Sequence, residues 1–301
     1  MIILDRQSKI GFIGCGRIAG NLATALIDQG YNVEAISSRD NVSARNLALR
    51  LAGATAYSSN QEVVNACDVV FVTVPDDAIE STVTALSWQK AQGVVHCAGS
   101  RTLSCLDTAA AQGTRVASFH PLQTFPTAIS SGDQLRGVGF AVTGNAELVR
   151  WLGEVISSFG GIKLAIHDDV RAIYHAAAVM TCGYMVTALQ HSLKLWESLD
   201  VSSEIALAAL MPLMRTTLDN VESYCVNEAL TGPIVRGDIN TIEGHLESLK
   251  DINKDVLEFY AVMGKHAIRC NDSSKLDESS NQQIDDLLSS YLKRVGHSIE
   301  A

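Results

Sequence analysis

Residues 9–30 read KIGFIGCGRIAGNLATALIDQG, and the fold of the chain turns on them. KIGFIG (9–14) is the short apolar run of a buried strand, and NLATALIDQG (21–30) spaces its apolar residues like one face of a helix. Between them lie Gly14, Cys15, Gly16, Arg17, Ile18 and Ala19. In a strand–turn–helix unit the first glycine permits a tight turn and the second lets a pyrophosphate approach the backbone. The third, small position lets the helix pack on the sheet. The helix start then offers free N–H groups to the phosphates. A dinucleotide site along Gly14, Gly16, Arg17, Ile18 and Ala19 is expected, with a bare strand–helix turn as the alternative.

The pattern outward from this unit repeats. Further short β-branched runs occur at 32–37, 54–57, 68–74, 93–97, 115–119, 139–144 and 162–166, with amphipathic stretches between several of them. Such alternation predicts an α/β domain, a doubly wound and mostly parallel sheet with helices on both faces. Near Asp168 the texture changes. DDVRAIYHAAAVMTCGYMVTALQHSLKLWESL (168–199) holds Ala, Leu and Met at helical spacing without a proline, which predicts a long, buried helix. Helical patterns follow at 202–223, 239–250, 252–268 and 281–295, with a polar linker at 271–283. The expected division is a Rossmann domain over 1–166 and an all-α domain over 167–301.

The strand ends carry the candidate chemistry. The second strand closes on Ser37, Ser38 and Arg39, hydroxyls and a guanidinium suited to the 2′-phosphate of NADP(H). Asp40 next to them is the competing partner for an NAD ribose, and Glu34 lies too early in the strand. Val74, Pro75 and Asp76 close the fourth strand, where Asp76 or Asp77 would cap the next helix or meet the cofactor. HCAGS (96–100) closes the fifth, and Gly99 would let backbone approach a ligand beside Ala98. SFHPLQTF (118–125) closes the sixth with His120, Pro121, Gln123 and Thr124. At the start of the long helix, Arg171 and His175 lie four residues apart and share a face. In LTGPIVRGD (230–238) two turns are expected, with Asp238 or Asn240 capping the next helix and an Arg–Asp pair or an anion site as the two readings.

Composition narrows the function classes. The 301 residues are 47% hydrophobic with a net charge of −10 and no basic cluster, which argues against a nucleic-acid partner. The seven cysteines form no CxxC pair and read as reduced thiols of a soluble cytoplasmic protein. The N-terminus is too soon interrupted by charge for a signal peptide, and no apolar run is expected to span a membrane. Hydrolase and metal chemistry lack their motifs: there is no GxSxG or HExxH, and the histidines are scattered, so no metal site is expected.

IGCGRIAG, VPDDAI, HCAGS, SFHPLQTF, YHAAAVMTCGYMVTAL, LTGPIVRGD and His245-Leu246, in this order, span nearly the whole chain. With them the chain resembles Rossmann-like proteins that carry a C-terminal domain of unknown function 2520. Its first half is similar to pyrroline-5-carboxylate reductases and deazaflavin-dependent NADP reductases. The resemblance implies a helical domain of the 6-phosphogluconate dehydrogenase C-terminal type and a homodimer formed through it. It also implies a pocket lined by His120, Gln123, Thr124, His175, Thr231, Pro233, Arg236, Asp238 and His245. Ala98 and Gly183 depart from the family pattern, which favours serine and asparagine there.

The function expected from residues and resemblance together is an NADP-dependent oxidoreductase. It would reduce a C=O or C=N bond of a small carboxylated metabolite, with the nicotinamide between the domains. A 2-keto acid such as ketopantoate ranks ahead of a pyrroline-carboxylate-like imine. His120 or His175 would supply the proton, and Arg171 or Arg236 would hold the carboxylate. A non-catalytic NADP(H)-binding sensor is the alternative.

Overall fold

The computed structural model describes residues 3–51, 53–127, 132–224, 226–270, 277–294 and 296. The expected strands form as β1 (Ile10–Ile13), β2 (Val33–Ser37), β3 (Thr55–Tyr57), β4 (Val69–Val72), β5 (Gly93–His96), β6 (Arg115–Pro121), β7 (Gly139–Gly144) and β8 (Ile162–Leu164). They make one sheet in the order β3-β2-β1-β4-β5-β6-β7-β8. Neighbours from β3 to β6 are parallel, β7 runs antiparallel to β6, and β8 is parallel to β7. The order reverses between β1 and β4, so the ligand crevice of such sheets falls at their carboxyl ends.

The crossover helices are α1 (Arg17–Asp28), α2 (Asn41–Arg50), α3 (Asn60–Ala66), α4 (Ile79–Thr84), α5 (Asp107–Ala111) and α6 (Ala146–Ser158). Period-two alternation splits each central strand between two cores. Val69 and Phe71 join Leu22 and Leu26 of α1, Leu47 of α2 and Trp151 of α6 on one face. Val70 and Val72 join Val63 of α3, Val83 of α4 and Ala109 of α5 on the other. Phe119 sits between Phe71 and Phe140, with ring centroids 5.9 and 5.0 Å away.

One strand runs further than expected. β6 continues past Phe119 through His120 and Pro121, which pair with Ala141 and Phe140 of β7. β5 has ended at His96, opposite Ser118, so only β7 borders this extension. Leu122 N donates to Gly139 O, and alternation turns the position of Pro121 N away from β7, so the absent N–H breaks no rung.

The remaining helices are α7 (Arg171–Glu197), α8 (Ser203–Tyr224), α9 (Val226–Ala229), α10 (Pro233–Arg236), α11 (Ile239–Leu249), α12 (Lys254–Cys270) and α13 (Glu278–Arg294). The chain divides into compact units Met1–Gly183 and Tyr184–Ala301. Strands give way to helices near residue 166, as the sequence pattern suggests, yet the first compact unit extends into α7. In the second unit, Ile242 and Leu246 of α11, Leu257 and Ala261 of α12, and Ile284, Leu288 and Leu292 of α13 form a core of their own. Lys265 is buried there against Asp285 and Ser289.

Three expectations change. The final helix begins at Glu278, so the linker expected over 271–283 ends earlier, and 271–276, like Cys225, lie outside the described residues. Between the two turns expected in 230–238, Pro233 starts the short α10 and Gly237 closes it in the left-handed conformation. α7 is long as expected but not buried: Arg171 is its one buried residue, while Ile173, Met180, Tyr184 and Val186 are exposed. Its apolar residues go all round the helix. By length and composition alone, 168–197 is long and apolar enough to cross a membrane, its most apolar 18 residues having mean hydropathy 1.4 with none of them buried. The buried Arg171, however, ties the start of α7 to the sheet edge.

Phe119→Ala should destabilise the first unit by about 3–5 kcal/mol through the cavity it opens. A urea titration read by near-UV circular dichroism checks this, and an unchanged midpoint contradicts the packing described.

Candidate functional site: the strand edge and the His120 cavity

The glycine loop has the conformation its residues suggest. Gly14 sits at φ +108, and a β-carbon there would lie 2.7 Å from the backbone of Thr73 at the end of β4. Its N–H donates to Ser37 O, which closes the turn against β2. Gly16 is the N-cap of α1, with no side-chain cap and open space where a β-carbon would be. Ala19 is buried and Ile18 half-buried, so α1 packs closely while its first N–H groups stay uncapped by side chains. No acidic residue lies in the first turn. These features fit a pyrophosphate. Arg17 is exposed, with Nη1 donating to Phe125 O at 3.4 Å.

At the end of β2 the candidates separate. Ser37 is buried, and its hydroxyl donates to Asn60 Oδ1 at 2.8 Å, so it is withdrawn from the role expected of it at a 2′-phosphate. Ser38 is half-buried and Arg39 exposed. Asp40, the competitor, caps α2: it accepts from Val42 N and Ser43 N and from the Ser43 hydroxyl. The Ser43 hydroxyl and the Val42 N–H hold its carboxyl below the usual range. A carboxylate so engaged is poorly placed to accept a ribose hydroxyl, and the edge is left to Ser38 and Arg39. Val74, Pro75 and Asp76 follow β4 on the same edge, and neither Asp76 nor Asp77 makes the cap bond that was one reading of them.

The end of β6 and the first half of α7 build a second feature, a cavity of about 390 Å³. His120, Gln123, Thr124, Tyr174, His175 and Cys182 are among the residues lining it. His120 Nδ1 and the Tyr174 hydroxyl are 2.8 Å apart, and the His120 and His175 rings meet edge to face at 6.1 Å. Gly99 is the residue that admits both rings: a β-carbon there would lie 2.4 Å from His175 Cδ2 and 2.9 Å from His120 Nε2. Ala98 is buried beside it.

Arg171 is not where the sequence reading put it. It is fully buried, with Nη1 donating to the Ser118 hydroxyl at 2.7 Å and Nη2 to Ala98 O at 2.9 Å. It bonds the strand ends and, fully buried, has no face open to a substrate carboxylate. Among the described residues no carboxylate forms an ion pair with it; Asp168, the nearest acid to act on it, instead accepts both its bonds from Leu103 N. Burial lowers the guanidinium below its ordinary value.

Two histidines feel that charge. Burial, then Arg171, then His175 push His120 down to about 4. His96 on β5 is fully buried with both ring nitrogens unpaired, and burial, then Arg171, then His120 push it down to about 3. Tyr174 is raised by burial, which the charge of Arg171 opposes. Tyr174, Ser118 and His96 had no role in the sequence reading. Tyr174 could have been noticed as the neighbour of His175 in YHAAAV, but its partnership with His120 requires the helix to be docked on β6.

Thr231, Arg236 and His245 belong to the second unit. Arg236 ends α10, Asp238 caps α11 as expected by accepting from Thr241 N, and His245 Nδ1 lies 2.9 Å from the Tyr260 hydroxyl.

Unfolded imidazoles gain a proton near pH 6.5, but these two folded ones only near 4 and 3. Their contribution to stability is therefore complete above pH 6.5 and is lost as pH falls toward 4, by about 1.4 kcal/mol per pH unit for each ring. Urea unfolding between pH 7 and 5 should show this slope, and a flat profile contradicts it.

Comparison with known proteins agrees with this layout. Residues 9–99 match the family "NADP oxidoreductase coenzyme F420-dependent", and residues 138–267 match "Domain of unknown function (DUF2520)". A stretch of 80 residues is 35% identical to 2-(hydroxymethyl)glutarate dehydrogenase of Eubacterium barkeri, covering 27% of this chain and 26% of that enzyme. The chain thus spans about a quarter of that relative's length. In fold it is similar to the "putative NADP oxidoreductase" of Bacteroides fragilis, at TM-score 0.72 and 24% identity over 87% of this chain and 98% of that one. It is also similar to 1-pyrroline-5-carboxylate reductase from Streptococcus pyogenes, at TM-score 0.62 and 18% identity over 96% and 100% of the two chains. A third is the reductive aminase from Aspergillus terreus in complex with NADPH, at TM-score 0.60 and 15% identity over 97% of each. By these matches the chain joins a module of the F420-dependent NADP oxidoreductase type over residues 9–99 to a DUF2520 domain over residues 138–267.

Proposed function

We propose that this protein reduces the C=O or C=N bond of a small carboxylated metabolite with NADPH. A 2-keto acid of the ketopantoate kind is the first-ranked substrate and a pyrroline-carboxylate-like imine the second. The observation that carries this reading is the cavity wall at the end of β6, where His120 and His175 meet over Gly99. Gly14, Gly16 and the start of α1 would hold the pyrophosphate, with Ser38 and Arg39 on the 2′-phosphate. The bound cofactor supplies the hydride. His120 delivers a proton to the substrate oxygen or nitrogen, and Gln123 and Thr124 offer hydrogen bonds to the carboxylate.

NADPH titration followed by a screen of keto acids and imines, read by NADPH absorbance, tests this. Arg39→Ala should weaken NADPH binding about tenfold, which is roughly 1.4 kcal/mol, and leave NADH nearly unchanged. Tighter binding of NADH by the native protein would sink the 2′-phosphate assignment. NADPH binding without oxidation by any keto acid or imine would favour the sensor reading.

The working form is a homodimer built on the helices, and the support is the apolar surface they leave open. Met180, Tyr184 and Val186 of α7 and Ile205, Leu213 and Leu218 of α8 are all exposed. A surface of this kind is covered by protein far more often than left to water. Light scattering should give twice the 32.2 kDa of one chain, and a monomer at micromolar concentration would refute it. All six described cysteines are free thiols, in keeping with a cytoplasmic location.

A further inference from the structure

Resting on that reductase reading, the geometry points to Tyr174 as a positioning and relay residue, whose hydroxyl sets the tautomer of His120 and replaces the proton that His120 gives to the substrate. Three observations meet here. The hydroxyl lies 2.8 Å from Nδ1 of His120, so one of the two atoms donates to the other. The opposite nitrogen, Nε2, lies toward Gly99 and bonds to no described side chain, and His120 lines the cavity. Arg171 lies buried behind both, without a carboxylate partner in ion-pair contact among the described residues.

The neighbours decide which atom donates. The groups facing His120 are Tyr174, His175 and Arg171 of α7 and His96 of β5. Those acting on Arg171 in turn are Asp168, Tyr174, Cys105 and Cys97. With His120 held down to about 4, roughly one ring in a thousand carries a second proton at pH 7. A phenol is a far better donor than a neutral imidazole N–H, so the Tyr174 hydroxyl donates to Nδ1 and the ring proton stays on Nε2.

The step then balances. As the hydride reaches the substrate carbon, the C=O π bond becomes the C–O⁻ lone pair, which takes the proton from Nε2. Nδ1 takes the phenol proton, leaving a tyrosinate that feels the positive charge of Arg171, and solvent restores that proton afterwards. His120 stays neutral throughout.

The relay and an imidazolium donor differ in their response to pH. A donor that must first be protonated near 4 loses tenfold in rate for every pH unit above it. The relay needs only a protonated phenol, and Tyr174 is raised above its ordinary 10, so the rate stays level. Single-turnover hydride transfer, followed by NADPH absorbance from pH 6 to 9, should be level within twofold for the native protein. Tyr174→Phe, which keeps the ring and removes the hydroxyl, should bind NADPH as before. Its rate should be at least tenfold lower at pH 7 and should fall tenfold per pH unit. A tenfold-per-unit fall in the native protein, or a level profile in Tyr174→Phe, overturns the relay.

A second measurement needs no turnover. With ¹⁵N-labelled histidine at pH 7.5, native His120 should show a protonated Nε2 and a bare, hydrogen-bonded Nδ1, and Tyr174→Phe should lose that preference. A proton on Nδ1 in the native protein overturns the relay even where the reductase reading stands. If no carbonyl or imine is reduced but the Nε2 tautomer is found, the reductase reading fails, and the relay survives only as a tautomer lock, which overturns its catalytic part.

Discussion

The guanidinium of Arg171 is the interaction on which the site depends. A charged group buried without an ionic partner is costly unless each bond it makes is good, and removing one partner leaves the penalty in place. Its bonds reach the Ser118 hydroxyl on β6 and Ala98 O beyond β5. Those two bonds dock the start of α7 on the carboxyl ends of two strands. Asp168 adds a second tie from just before the helix, accepting from Leu103 N. Tyr174 and His175, one turn along, are thereby carried to His120.

The same charge sets the protonation of the site. Together with burial it keeps His96 and His120 neutral well below neutral pH, so the histidine at the cavity presents an uncharged ring. One buried arginine therefore both positions and tunes. It does so at the cost of the role that a sequence reading gives it most naturally, that of a substrate clamp. Ser37 is a similar case: its hydroxyl is spent on Asn60, inside the fold.

The sheet illustrates why much of this architecture could be read from the chain. The central parallel strands β1, β4 and β5 are buried on both faces, which writes a continuous apolar run such as VVFV or GVVH into the sequence. The glycine loop is equally legible, because the positive φ of Gly14 and the close approach of Thr73 are demands on residue type. The extension of β6 through Pro121 was hidden, since it depends on β5 ending early while β7 continues. The exposure of α7 was hidden too: apolar residues all round a helix say that it wants cover, not that its own chain supplies it.

Of the candidate site, sequence alone determined the histidine at the strand exit, the small residue facing it and the conformation of the glycine loop, because local backbone demands and residue chemistry suffice for these. Only the tertiary structure decided which polar groups remain free. Arg171 and Ser37 are consumed by bonds to residues 53 and 23 positions away, while Tyr174 gains His120 from 54 positions away. Hydrogen-bond partners at such separations are set by how the elements pack, and no spacing within a motif encodes them.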